Sequence, residues 1–157
     1  MVRLADLPEP EREHLLEMAG RAPRFTDRPW VRSAPLRQCR IALVTTAGLH
    51  RTSDRPFSFV PGTEYRVIPG DTPAAELTMS HVSVNFDRSG FQADLNVVFP
   101  IDRLAELKQE GFIGSIAQYH YSFMGAAWPP TRFEASAKEL AGLLKKDHVD
   151  AVLLTPV

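Results

Sequence analysis

A chain of 157 residues, 44% apolar and 24% charged, has the length and composition of one ordinary globular domain that can bury a core. Its 18 basic and 19 acidic residues leave a formal net charge of −1, which argues against a nucleic-acid or anionic-membrane partner. The lone cysteine, Cys39, excludes an internal disulfide framework or a multi-thiolate metal site; with no apolar run of 18 residues and no apolar amino-terminal leader, the expected location is the cytoplasm, outside any membrane.

Residues 8–19 predict a short helix, with Pro8 and Pro10 at its start, acids in its first turn and Gly20 just past its end. Residues 21–38 hold Pro23, Pro29 and Pro35 and read as an irregular arm draped on the domain, because Phe25 and Trp30 need cover. The core begins at RIALVTTAGLH (40–50), where Ile41 to Val44 form a continuous apolar run of the kind a strand buried on both faces requires. After a polar loop, Tyr65 to Ile68 predict a short strand, and Thr72-Pro73 reads as an N-cap and first position of a helical turn. Leu95–Phe99 predicts a second apolar strand, stopped by Pro100, which starts a helix ending at Gly111. Residues 113–120 form a weaker strand pattern, residues 133–146 an amphipathic helix with Phe133, Ala137, Leu140 and Leu144 on one stripe, and residues 149–154 a last buried strand.

Apolar strands alternating with amphipathic helices predict an α/β fold: a mostly parallel sheet with helices on both faces, layered as in flavodoxin-like and Rossmann-like folds. Residues 1–36 form a helix and arm, and 37–157 the α/β domain. A buried parallel strand is normally followed by a loop and a covering helix, so the α/β domain is expected to be incomplete beyond Val157, with self-association a way to cover the face left bare. A strand that simply closes the domain at a sheet edge fits the same pattern.

Polar residues gather in two segments, MSHVSVNFDR (79–88) and YHYSFMG (119–125). If both meet at one end of the sheet, His81, Asp87, Arg88 and His120, with Ser80, Asn85 and Tyr121 around them, make a pocket. Arg88 would bind a small carboxylate and the imidazoles would move protons. The same histidines also read as structural hydrogen-bonders, and Asp87-Arg88 as a turn salt bridge. No G-x-S-x-G elbow supports a hydrolase, no His spacing supports a metal on His81, His120 and Asp87, and no G-x-G-x-x-G or Walker A supports a nucleotide. Cys39, opening a buried strand, reads as a packed thiol.

Three collinear stretches resemble the selenoprotein B family of glycine, sarcosine, betaine and D-proline reductases: RIALVTTAGLH, YRVIPGDTPAAELTMSHVSVNFDRSGFQADLNVVFPIDRL and EGFIGSIAQYHYSFMG. The resemblance runs over residues 37–157 and implies an oxidoreductase that reductively splits a C–N bond in a small amino acid or its N-methylated form, with a dithiol donor and other reductase subunits. It also implies a selenocysteine or cysteine nucleophile directly after Val157, so no catalytic residue and no cofactor is expected within these 157 residues and the pocket around His81 and His120 would be a supporting shell. Selenocysteine is encoded by UGA, so a truncated product or gene reading of a longer selenoprotein is expected. The HVSVNFDR and TPV variants resemble relatives outside the fermentative enzymes, and the substrate stays open. The alternative is a non-catalytic α/β domain binding a small carboxylate.

Overall fold

A computed structural model describes residues 3–27, 31–60, 62–83 and 88–157. Strand β1 (Arg40–Thr45) lies at the centre of the larger sheet. On one side it pairs in parallel with β7 (Ala151–Thr155), Ile41 opposite Ala151 through Thr45 opposite Thr155. On its other side it pairs in parallel first with β5 (Ser115–Ile116) and then with β6 (Tyr119–Phe123). Strand β3 (Tyr65–Pro69) adds antiparallel to β6, so the order is β3, then β5 and β6 in line, then β1, then β7. A second, two-stranded sheet pairs β2 (Leu49–Arg51) antiparallel with β4 (Leu77–Met79).

The apolar run in β1 is continuous because both faces are covered. Ile41 and Leu43 join a cluster with Phe99, Ile68 and Leu104 of α3 (Ile101–Gln109), while Val44 joins Tyr121, Phe123 and Leu140 of α4 (Glu134–Lys146). Alternate residues of a strand point to opposite faces, so one strand serves both helices. Two further helices, α1 (Glu9–Arg21) and α2 (Ser89–Ala93), contribute no buried residue.

The parallel α/β reading holds, with β3 as an antiparallel addition. Leu95–Phe99 is not a strand. Leu95–Val97 is a 3-10 turn whose Asp94 carboxylate accepts the Asn96 amide at 2.8 Å, and Asn96 in turn reaches Asp102 at 2.8 Å. Capping chemistry on both sides of a short apolar run favours a turn, and the buried Val98 and Phe99 that follow anchor the core without pairing. The weak pattern at 113–120 is two strands in line, continuing to Phe123. The first helix runs through Gly20 to Arg21 and stops because Ala22 precedes Pro23, which holds it extended (ψ 138°). Thr72 and Pro73 lie ahead of the 3-10 turn Ala74–Glu76, with Pro73 as its cap. Phe25 is 72% exposed, so the arm does not cover it, and Trp30 lies outside the described residues. Cys39 is fully buried, its thiol donating to the Ala34 carbonyl at 3.3 Å.

The turn after α4 locks the amino-terminal end of the sheet. Asp147 accepts from the Arg40 guanidinium and from the amides of Gln118 (2.7 Å) and Tyr119 (3.3 Å). Burial raises its pKa, but those three donors outweigh it, and the net shift is downward. Asp150 accepts the Arg40 amide at 2.8 Å. Asp147→Ala strands a guanidinium and two amides in a half-buried place. Urea denaturation should read a loss of about 2–4 kcal/mol, with Asp147→Asn losing less because it keeps one acceptor.

Candidate functional site

The segment that follows β1 organises its carboxyl end. Thr45 Oγ1 accepts the Ala47 amide at 3.2 Å and donates to the Thr155 carbonyl at 3.3 Å. Thr46 Oγ1 accepts the Val157 amide at 2.9 Å and donates to the Val157 carbonyl at 3.4 Å. Gly48 then turns the chain with φ +65°, its amide donating to the Phe123 carbonyl at 2.8 Å and its carbonyl accepting the Ser80 amide at 3.0 Å. A Cβ at Gly48 would stand 3.1 Å from the His81 amide nitrogen, so glycine is what lets residues 80 and 81 close on the strand end.

Ser80 hydrogen-bonds through Oγ to His50 Nε2 at 2.8 Å, and His50 Nδ1 lies 2.8 Å from the Arg51 carbonyl. A carbonyl can only accept, so Nδ1 carries the proton and Nε2 accepts from the Ser80 hydroxyl. His50 is buried and meets Phe57 edge-on at 6.2 Å, with the Arg66 guanidinium 4.4 Å above that ring. Next along the chain, His81 Nδ1 accepts the Ser83 amide at 3.2 Å, which puts the neutral ring's proton on Nε2. Burial first, and the nearby Arg88 charge second, push the His81 pKa down, so the ring is neutral at physiological pH. The Arg88 guanidinium donates to the His81 carbonyl while the residue itself stays exposed.

Ser80, His81 and Arg88 thus come together past the end of β1. His120 lies elsewhere, inside the sheet at the level of Leu43, fully buried, with Phe99 edge-on at 5.6 Å. Tyr121, its neighbour on β6, turns to the opposite face and packs edge-on to Tyr65 at 6.0 Å in the cluster with α4. Asn85 and Asp87 lie outside the described residues. Among the described residues no three His, Cys, Asp or Glu side chains converge as a metal would need. His50 was missed because it follows an apolar stretch and precedes a loop. The alternation Leu49-His50-Arg51 in a short strand was the available signal.

His120 fills a gap in the sheet. Between β5 and β6 the ladder is interrupted, and His120 Nδ1 accepts the Leu43 amide at 3.0 Å in place of a backbone carbonyl. Burial drives its pKa down to about 4 despite the Asp147 charge, which pulls it up.

The chain is an α/β domain with a mostly parallel sheet, and Ser80, His81 and Arg88 collect past the carboxyl end of its central strand. Residues 24–157 match the family described as glycine/sarcosine/betaine reductase selenoprotein B (GRDB). The chain is 39% identical over 121 residues to D-proline reductase subunit gamma of Acetoanaerobium sticklandii, covering 76% of this chain and 49% of that one. It is 33% identical over 127 residues to glycine reductase complex component B subunit gamma of Symbiobacterium thermophilum (76% and 29%), and 31% identical over 124 residues to betaine reductase complex component B subunit beta of Peptoclostridium acidaminophilum (76% and 28%). The chain therefore belongs to the selenoprotein B family of reductase-complex subunits, and it spans about half the length of the first of these relatives. No solved structure matches it. Among the described residues no helix is long and apolar enough to cross a membrane.

Gly48→Ala forces a side chain into the left-handed region and against the His81 backbone; it should cost about 1–3 kcal/mol in chemical denaturation and shift the His81 amide resonance. For His120 the native pKa of about 4 lies below the ordinary 6.5, so the unfolded chain binds the proton more tightly. Its contribution is fully present above pH 6.5 and is lost as pH falls from there to 4, about 3 kcal/mol in all. Stability measured across that window should flatten in His120→Asn, which keeps an acceptor for Leu43 but does not titrate.

Proposed function

We propose that this chain is the scaffold and substrate-holding part of a reductase component that cleaves a C–N bond in a small amino acid or its N-methylated form. The nucleophile is a selenocysteine or cysteine at the position that the family resemblance puts directly after Val157. The observation that carries the reading is the paired hydrogen bond between Thr46 Oγ1 and Val157, which ties that residue to the same strand end where Gly48 receives Ser80 and His81.

Each neighbouring group has a fitting part. Arg88, exposed beside His81, offers a guanidinium to a substrate carboxylate. His81, neutral and buried at the strand end, positions the cluster: its Nδ1 holds the Ser83 amide and its carbonyl holds the Arg88 guanidinium. The Ser80 hydroxyl, its proton held by His50, keeps lone pairs with which to accept from a substrate ammonium. The relatives are named as subunits of reductase complexes, which supports other reductase subunits as partners, and the family resemblance implies a dithiol as the reductant.

Titration of the purified chain with glycine, sarcosine, betaine and D-proline, followed by amide shifts in NMR, tests the reading. At least one of the four should move Ser80, His81 and Arg88, and Arg88→Ala should weaken that response by about tenfold. Responses confined to residues away from this end would overturn the site. The 157-residue chain given a dithiol should release no product from any of the four, and turnover would overturn the placement of the nucleophile.

A further inference from the structure

A serine hydroxyl has one proton, and the surroundings of His50 fix where that of Ser80 goes. His50 Nδ1 lies 2.8 Å from the Arg51 carbonyl oxygen, so it carries the ring proton, and Nε2, 2.8 Å from Ser80 Oγ, is left as an acceptor. The ring is 3% exposed and is held edge-on to Phe57, whose face carries the Arg66 guanidinium. Arg66 is held in turn by the Arg55 carbonyl at 3.0 Å. The Ser80 backbone is fixed as well, its amide on the Gly48 carbonyl at 3.0 Å. With its proton given to a buried imidazole, the Ser80 hydroxyl is an acceptor toward any other partner.

The Arg88 guanidinium is anchored one residue further along, on the His81 carbonyl. A donor suited to a carboxylate and an oxygen that only accepts are therefore held at neighbouring residues, as the carboxylate and amine of an α-amino acid are held at one carbon. Charge alone does not tell one such zwitterion from another. The hydrogen bond does, because an acceptor-only oxygen needs an N–H to accept from.

We propose that Ser80, positioned by His50, makes the strand-end cluster select substrates whose ammonium nitrogen carries at least one hydrogen, and refuse a quaternary nitrogen. The inference rests on the reading of Arg88 as the carboxylate anchor. Of the four candidate substrates, glycine, sarcosine and D-proline carry such a hydrogen and betaine carries none.

Glycine, sarcosine, N,N-dimethylglycine and betaine differ only in the methyl groups on nitrogen, and titrating each into the full chain by NMR gives affinities from the Ser80 and Arg88 amide shifts. A hydrogen-bond requirement predicts one step: the first three bind within about threefold of one another and betaine about tenfold or more weaker. Steric crowding predicts a fall with every added methyl. Ser80→Ala should bring the first three down to the level of betaine, whereas Ser80→Thr, which keeps the hydroxyl, should keep the step. The ring nitrogen resonances of His50 in the unaltered chain should show Nδ1 protonated and Nε2 unprotonated, with and without sarcosine, a readout independent of how any variant folds. Betaine binding as tightly as sarcosine, a graded fall along the series, or a protonated Nε2 would overturn the proposal, and Arg88→Ala weakening every ligand would show that the anchor stands without it. No response at Ser80 and Arg88 to any of the ligands would overturn the anchor and the proposal together.

Discussion

Strand β1 hydrogen-bonds to three other strands, and the arrangement of the rest follows from how its two edges are filled. On the β7 side the pairing is unbroken over five residues. On the other side it is split, β5 serving the first two residues of the strand and β6 the last two, and the gap between them is closed by a side chain. A backbone amide in the middle of a buried strand must find an acceptor. Here Leu43 finds an imidazole, so the ladder depends on a group whose charge state can change.

That dependence explains the attention given to the β5–β6 step elsewhere in the chain. The Ala117 amide goes to the Ile41 carbonyl at 2.8 Å, and the next two amides go to Asp147, which is itself held by Arg40. The amino-terminal end of the sheet is thus cross-tied by side chains. Its carboxyl end is tied by threonine hydroxyls and by backbone closing over Gly48. Rigid ties at both ends suit a domain that presents polar groups at fixed distances, because a site built on strands and their immediate continuations keeps its geometry better than one on free loops.

How much of this could be read beforehand divides along physical lines. β1 is legible because a strand covered on both faces must be apolar without interruption, and α4 because its stripe repeats over three turns; the run at 149–154 is a strand as expected but not a buried one, since Val152, Leu153 and Leu154 stay exposed at the sheet's edge. LNVVF reads as a strand because a run with four apolar residues in five looks alike as strand or as buried turn; the Asp94 side chain just before it and Asn96 within it decide the matter. For the site, Ser80, His81 and Arg88 were visible as a polar cluster in the chain. The separation of His120 from them was not, since it depends on where a two-residue strand ends. His50 was hidden by the same limit: its partner Ser80 is 30 residues away, and only the β2–β4 pairing brings them together.

The outer edge of β7 carries Val152, Leu153 and Leu154, with Leu154 67% exposed, and the strand Ala151–Thr155 contains no charged residue. Natural sheets usually blunt such an edge with a lysine, a bulge or a covering element. Among the described residues only β1 pairs with β7, so its other edge is a template onto which an extended apolar segment can add by backbone pairing. The chain's colloidal behaviour is therefore governed by a five-residue ribbon of backbone, and its dispersal at high concentration depends on what shields that ribbon, whatever the stability of the fold behind it.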